Sequence, residues 1–136
     1  MNAPANACEI EIRVRYAEVD QMGLLHNSRY WIYFELGRTE LLRQLGTSHA
    51  DLERDGIFLV VAQCAAKFLA PAHYDDVLIL TTRVARTGRA SLVHAYELRR
   101  PYDNVRIATG QTTLACTDGK GRIIPLPEAV RQARPS

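Results

Sequence analysis

Between Tyr16 and Tyr30 the chain reads Tyr-Ala-Glu-Val-Asp-Gln-Met-Gly-Leu-Leu-His-Asn-Ser-Arg-Tyr, and functional side chains crowd there. Asp20 precedes Gly23, and His26 and Asn27 follow just before apolar residues take up helical spacing. A glycine ahead of a helix lets the backbone come close to a ligand. The first turn of a helix carries free N–H groups at the positive end of its dipole. Such donors stabilise a developing oxyanion. A carboxylate facing the same small volume acts on a water or on an acyl carbon directly. Carboxylate and oxyanion donors together are a workable minimum for hydrolysing an activated acyl group. Taken alone, Asp20 is better explained as a turn former before a helix, since aspartate is common in loops.

Other chemistries fit less well. Gly46-Thr-Ser48-His-Ala50 lacks the second glycine of a nucleophile elbow. Neither a P-loop nor a dinucleotide fingerprint occurs. Cys8, Cys64 and Cys116 are odd in number and widely spaced, so they imply no disulfide framework and no zinc site. No metal or redox cofactor is expected. Lys and Arg number 17 against 15 Asp and Glu, and 17 − 15 leaves +2, too mild to argue for nucleic acid. The longest apolar run, Ile57 to Ala66, is broken by Gln63 and is too short to span a bilayer. Met1 to Cys8 has neither the basic nor the apolar segment of a signal peptide, so a cytoplasmic location is expected.

The elements that must position these residues read as follows. The chain has 136 residues, 47% of them hydrophobic, which suits one ordinary globular domain spanning 1–136, with residues 1–8 expected to be flexible. Glu9 to Arg15 alternates Ile10, Ile12 and Val14 with charged residues, as in a strand with one buried face. A polar segment follows, and Asn27 or Ser28 is placed to cap a helix over Tyr30 to Leu45 that Gly46 ends. Apolar residues cover much of its circumference, so it should be largely buried, with Tyr30, Trp31 and Phe34 in the core. Ser48 with Asp51 resembles a capping box for a short helix stopping near Gly56. Strands are expected at Ile57 to Leu69, Val77 to Ala85, Ser91 to Arg100 and Val105 to Thr117, with turn residues between them. Ile123-Ile124 is a candidate last short strand, and Pro127-Glu128 opens a terminal helical turn. Short connections imply antiparallel neighbours. The class is therefore α+β, with five or six strands around one long helix.

The string Tyr16-x-Glu18-x-Asp20-x-x-Gly23, followed by Asn27-x-x-Tyr30 and Phe34-Glu35-x-x-Arg38-x-Glu40-x-Leu42-Arg43, resembles the 4-hydroxybenzoyl-CoA thioesterase family. It is also similar to the bacterial short-chain acyl-CoA thioesterases found beside the Tol–Pal genes. Tyr74-Asp75-Asp76-Val77-Leu78 matches the same family, and the resemblance covers roughly Glu9 to Thr117. It implies the hotdog fold, a curved antiparallel sheet wrapped around one central helix. It implies a homodimer with active sites at the subunit interface, often paired into a homotetramer. It implies an acyl-CoA substrate, with Asp20 as nucleophile or general base and a backbone N–H near Asn27 as oxyanion donor. Gly23 shapes the loop, Tyr30 lies with the substrate, and His26 touches substrate or orients water. Arg86 and Arg89, with Ser91 beside them, would hold coenzyme A phosphate, a task the arginine fork suits. Some members carry a second Gly or a Pro-Ala pair where this chain has Gln21-Met22, so the shape of the acyl pocket does not carry over.

Plainer readings stand beside these. Glu35 and Arg38 form an i, i+3 helix pair, with Glu35 the alternative base. Asp75 and Asp76 shape a turn. His49, His73 and His94 read as surface residues. Gln63, in an apolar strand, bonds across a dimer or lines the pocket. Arg86 and Arg89 are equally well read as solvated charges. Two other functions compete: an acyl-thioester hydratase or dehydratase using His26 and Glu35, and a catalytically inactive acyl-CoA-binding protein.

Overall fold

A computed structural model describes residues 6–131. The elements in chain order are β1 (Ala7–Arg13), a 3-10 turn (Tyr16–Glu18), α1 (Asn27–Gln44), α2 (His49–Arg54), β2 (Phe58–Phe68), β3 (Val77–Thr87), β4 (Ser91–Arg100), β5 (Val105–Thr117) and α3 (Glu128–Arg131). The strands form one five-stranded sheet in the order β1-β3-β4-β5-β2, antiparallel throughout. The sheet curves around α1, which is the hotdog architecture the sequence led us to expect. Of the segment expected to be flexible, residues 1–5 lie outside the described residues. Ala7 and Cys8 are instead buried in β1, paired with Arg83 and Thr82. The short strand expected at Ile123-Ile124 is only a bridge from Ile123 to Thr117.

Two contacts seat α1 on the sheet. Phe34 stacks on Tyr96 of β4, ring centroids 4.3 Å apart. Gly37 faces β3 so closely that a Cβ there would collide with the Thr82 hydroxyl, and only glycine allows that approach. The core around the N-terminal half of α1 gathers Val14, Tyr33, Phe34, Leu78, Leu80 and Leu98, all fully buried or nearly so. Leu41, Leu42, Val84, Leu92 and Leu126 form a second cluster toward the other end of α1.

Two burial expectations are corrected. Trp31, Ile32 and Leu36 are 37%, 42% and 45% exposed, because the sheet wraps only one side of α1. His94 is only 3% exposed, because it lies on the same face of β4 as buried Leu92, Tyr96 and Leu98. Gln63 is exposed at a bulge in edge strand β2 and does not line the cavity beside Asp20, which leaves its expected bond across a dimer open.

Candidate active site

The loop between β1 and α1 folds back on itself at Asp20. The Asp20 N–H donates to the Leu24 carbonyl at 2.8 Å, and its carbonyl accepts the Gly23 N–H at 3.0 Å. Its carboxylate Oδ1 accepts the N–H of Met22 at 2.8 Å and of Leu24 at 3.1 Å. Gly23 turns the chain with a φ of +76°, a conformation side chains disfavour. The turn former and the carboxylate are thus the same residue. Both amides engage Oδ1, and Oδ2 has no partner among the described residues.

His26, rather than Asn27 or Ser28, caps α1. Its Nδ1 accepts the Ser28 N–H at 3.1 Å and lies 2.8 Å from the Ser28 hydroxyl. A ring nitrogen that accepts a hydrogen bond carries no proton, so the proton sits on Nε2. The His26 N–H donates to the Glu18 carbonyl at 2.9 Å, and the Arg29 N–H to the His26 carbonyl at 3.0 Å. Ser28 is also engaged, whereas the Asn27 N–H, at the start of this first turn, has no acceptor among the described residues.

Asp20, His26 and Asn27 line one cavity of about 480 Å³, walled by Leu24, Leu25, Tyr30 and residues 68–71. Tyr30 is 4% exposed and meets Phe68 edge to face at 4.8 Å. Burial raises the pKa of its hydroxyl. The 68–71 wall is braced by Arg100, whose Nη1 donates to the Pro71 carbonyl at 3.1 Å and to Asp76 Oδ2 at 2.9 Å. Asp75, at a φ of +69°, and Asp76 shape the turn before β3, as the sequence suggested.

Arg86, Arg89 and Ser91 do not join this cavity within one chain. The loop meets the start of β3, where Val14 N–H bonds to the Asp76 carbonyl and Leu25 N–H to the Ala72 carbonyl. Arg86 lies near the far end of that strand and Arg89 in the turn beyond. At about 3.3 Å per residue the separation is roughly 30 Å. Glu35 is on the outward side of α1, 66% exposed, and only 4.0 Å from Arg38.

One part of the site was missed in the sequence. Glu18 is 3% exposed; its Oε1 accepts the Tyr33 hydroxyl at 2.8 Å and the Arg15 N–H at 2.9 Å. Burial pushes its carboxyl upward, but the Arg15 amide, the Tyr33 hydroxyl and the Arg15 guanidinium outweigh that and hold it below the usual range. The Arg15 N–H donates to the Glu18 carboxylate while the Glu18 N–H donates back to the Arg15 carbonyl at 3.0 Å, closing the 3-10 turn; no residue-type signature announces that pair in the sequence. Among the described residues no group of three or more His, Cys, Asp and Glu is placed to hold a metal ion. Nor is any helix there long and apolar enough to cross a membrane.

Comparison with known proteins gives the family and the fold. Residues 14–133 match the model of the thioesterase-like superfamily, and the chain belongs to that family. It is a thioester hydrolase of the hotdog fold. It is 30% identical over 130 residues to the acyl-CoA thioesterase YbgC of Haemophilus influenzae, covering 94% of each chain. It is 31% identical over 108 residues to YneP of Bacillus subtilis, covering 79% of this chain and 78% of that one. Among solved structures, a hypothetical protein of Thermus thermophilus superposes with a TM-score of 0.85 at 33% identity, over 93% of this chain and 94% of its own. A DHNA-CoA thioesterase of Staphylococcus aureus does so with a TM-score of 0.84 at 30% identity, over 88% and 80%.

Proposed function

We propose that this protein hydrolyses an acyl-CoA to a free acid and CoA, with Asp20 as the reacting carboxylate. The observation that carries the reading is the convergence of Asp20 and Asn27, whose N–H is unbonded, on one cavity of mixed polar and apolar lining. The thioester carbonyl oxygen sits against the Asn27 N–H, and the His26 Nε2–H is a second donor to that oxygen or to water. Asp20 Oδ2 takes a proton from water as the water oxygen bonds to the carbonyl carbon. The C–S bond then breaks, and the thiolate leaves with that proton. In the nucleophilic variant Oδ2 itself bonds to the carbon, the thiolate leaves, and water opens the resulting anhydride.

The site reading includes a second copy of the chain. Edge strand β2 exposes Val60, Val61 and Phe68 at 44%, 49% and 50%. An apolar edge of this kind favours pairing with another strand. Antiparallel pairing of β2 with its own copy sets the Phe58 end of one strand beside the Phe68 end of the other. Phe68 walls the cavity, whereas Ser91, opposite Ala115, lies at the Phe58 end. That arrangement brings the partner's Arg86, Arg89 and Ser91 toward the cavity from the far side, where they meet the CoA phosphates. Two such dimers would make the tetramer. Light scattering of the intact protein tests this assembly: a monomer at micromolar concentration rejects it.

Release of free thiol from a panel of aromatic and aliphatic CoA esters tests the activity. Asp20→Asn should lower kcat by roughly 10²–10⁴-fold, the usual size of a lost acid–base group. Unchanged turnover in that variant rejects the role of Asp20. The hydratase reading is weakened by His26, whose basic nitrogen is already occupied by Ser28, and by the outward Glu35. Saturable CoA-ester binding without thiol release would favour an inactive binding protein.

A further inference from the structure

Arg100, the last residue of β4, does not line the cavity beside Asp20, yet an unbroken set of bonds joins the two side chains. The Arg100 side chain is 10% exposed, and its donors are spread over three partners. Nε and Nη2 hold the Asp103 carboxylate at 3.1 and 3.0 Å. Nη1 donates to the Pro71 carbonyl at 3.1 Å and to Asp76 Oδ2 at 2.9 Å. Asp76 Oδ2 also accepts the His73 N–H at 2.9 Å. One side chain thus pins both ends of the segment from Pro71 to Asp76. Apart from a bridge at His73, residues 69–76 belong to no helix or strand, so bonds of this kind must set their place.

The Asp20 loop leans on that segment. Leu24 pairs with His73 as an antiparallel bridge, and the Leu25 N–H donates to the Ala72 carbonyl at 2.8 Å. Leu24 then gives its own N–H to Asp20 Oδ1 at 3.1 Å and accepts the Asp20 N–H at 2.8 Å. Every step from guanidinium to carboxylate is a hydrogen bond, a backbone pairing or a peptide bond.

We infer that Arg100 is a positioning residue for the reaction, setting the place of the Asp20 carboxylate through the 71–76 segment and Leu24. The inference rests on the role proposed above for Asp20. That role needs Oδ1 held and Oδ2 within reach of the attacking water, and a misplacement of about 1 Å costs roughly 10²-fold in rate. The geometry also explains why the residue is arginine. A planar fork holds Asp103 side-on while its remaining nitrogen reaches Pro71 and Asp76 together. The ammonium of lysine has three donors at one point and cannot span those acceptors. Asp103 is the internal comparison, because it grips the same guanidinium without touching the 71–76 segment.

The test sets Arg100→Lys against Asp103→Asn in the intact protein. Arg100→Lys should lower kcat for thiol release by roughly 10–100-fold with KM within about threefold. Asp103→Asn should leave kcat within about twofold. In an Asp20→Asn background, Arg100→Lys should change the residual rate by less than about twofold, since a side chain that no longer reacts gains nothing from its placement. The full loss persisting in that background shows a general loosening and overturns the assignment, as does wild-type kcat in Arg100→Lys. Asp76→Asn keeps an oxygen for the His73 N–H, loses the ion pair, and should repeat the loss at about tenfold. Wild-type kcat in that variant overturns the assignment even if Arg100→Lys does not fold. Amide hydrogen exchange reads the link without turnover: in Arg100→Lys the Leu24 and Leu25 amides should exchange about tenfold faster, with Tyr33 and Phe34 in α1 unmoved. No change at Leu24 and Leu25, or an equal rise in α1, overturns it. If wild type releases no thiol, the proposed hydrolysis fails, while the exchange rates still judge whether Arg100 places the Asp20 loop.

Discussion

The Glu18 carboxylate accepts the Tyr33 hydroxyl at 2.8 Å, across 15 residues of chain, with both side chains buried. The bond ties the loop that carries Asp20 to the middle of α1. The same residue's carbonyl accepts the His26 N–H, so Glu18 also fixes where the helix begins. One residue therefore sets the spacing between the carboxylate and the Asn27 amide.

Replacing Tyr33 with Phe leaves the Glu18 carboxylate short of one donor in a buried site, and should cost about 1–3 kcal/mol in denaturant unfolding. Glu18→Gln keeps an acceptor for Tyr33 and Arg15 but removes the charge. Because the folded pKa of Glu18 is lowered, its charge stabilises the fold above the unfolded value, and that contribution is lost as pH falls through the folded value. Below about pH 4.5 the wild type should lose stability faster than Glu18→Gln. Parallel acid limbs for the two proteins would show that the charge of Glu18 does not matter to the fold.

His26 has two separable tasks. As N-cap its Nδ1 holds the Ser28 amide, and a cap is worth about 1 kcal/mol. In the proposed mechanism it offers Nε2–H to the cavity it lines. Asn also caps helices, so His26→Asn should keep stability within about 0.5 kcal/mol of wild type while kcat falls. His26→Ala should lose both. Nitrogen NMR of the neutral imidazole should report the Nε2–H tautomer; the Nδ1–H form would remove the basis for this assignment.

Much of this was legible in the sequence, for reasons that can be named. Strands β3, β4 and β5 end at turn residues such as Pro101 and Gly119, so their limits were readable to within two residues. Asp20, Gly23 and Asn27 stood out because they crowd one loop. His26 was not read as the cap because imidazole seldom fills that position. His94 was read as surface from residue type, although its parity with Leu92, Tyr96 and Leu98 already placed it inside. The exposure of Val60 and Val61 could not be read, because periodicity does not distinguish an edge strand from a central one. The distance of Arg86 and Arg89 from Asp20 follows from strand length, but only once the loop is known to meet the start of β3.

The bonds that hold Asp20 favour one of the two roles proposed for it. Oδ1 carries bonds from the amides of Met22 and Leu24, so the carboxyl group cannot advance on a carbonyl carbon without breaking them. A water on Oδ2 needs no such movement. General base catalysis is therefore the expected route. In a single turnover in oxygen-18 water, label should enter the released acid and leave the Asp20 carboxylate unlabelled by mass spectrometry. Label in the peptide containing Asp20 would establish the nucleophilic route instead.

His94 gives the protein a second pH dependence, apart from the site. Burial, then the nearby charge of Arg38, then His49, lower its pKa to about 4. Its Nδ1 has no partner among the described residues, so nothing offsets the cost of charging it there. In the unfolded chain the imidazole titrates near pH 6.5. Above that value it is neutral in both states and stability is unaffected. Between about pH 6.5 and 4 the unfolded state binds the proton and the folded state does not, so stability should fall as pH falls. The full loss is on the order of 3 kcal/mol, reached near pH 4, separate from the acid limb that belongs to Glu18. His94→Leu fills the site without a titrating group and should flatten the dependence between pH 6.5 and 4.5. Urea melts across that range decide the point: if the variant keeps the wild-type slope, His94 is protonated in the folded protein and the Arg38 side of the core is more hydrated than its burial implies.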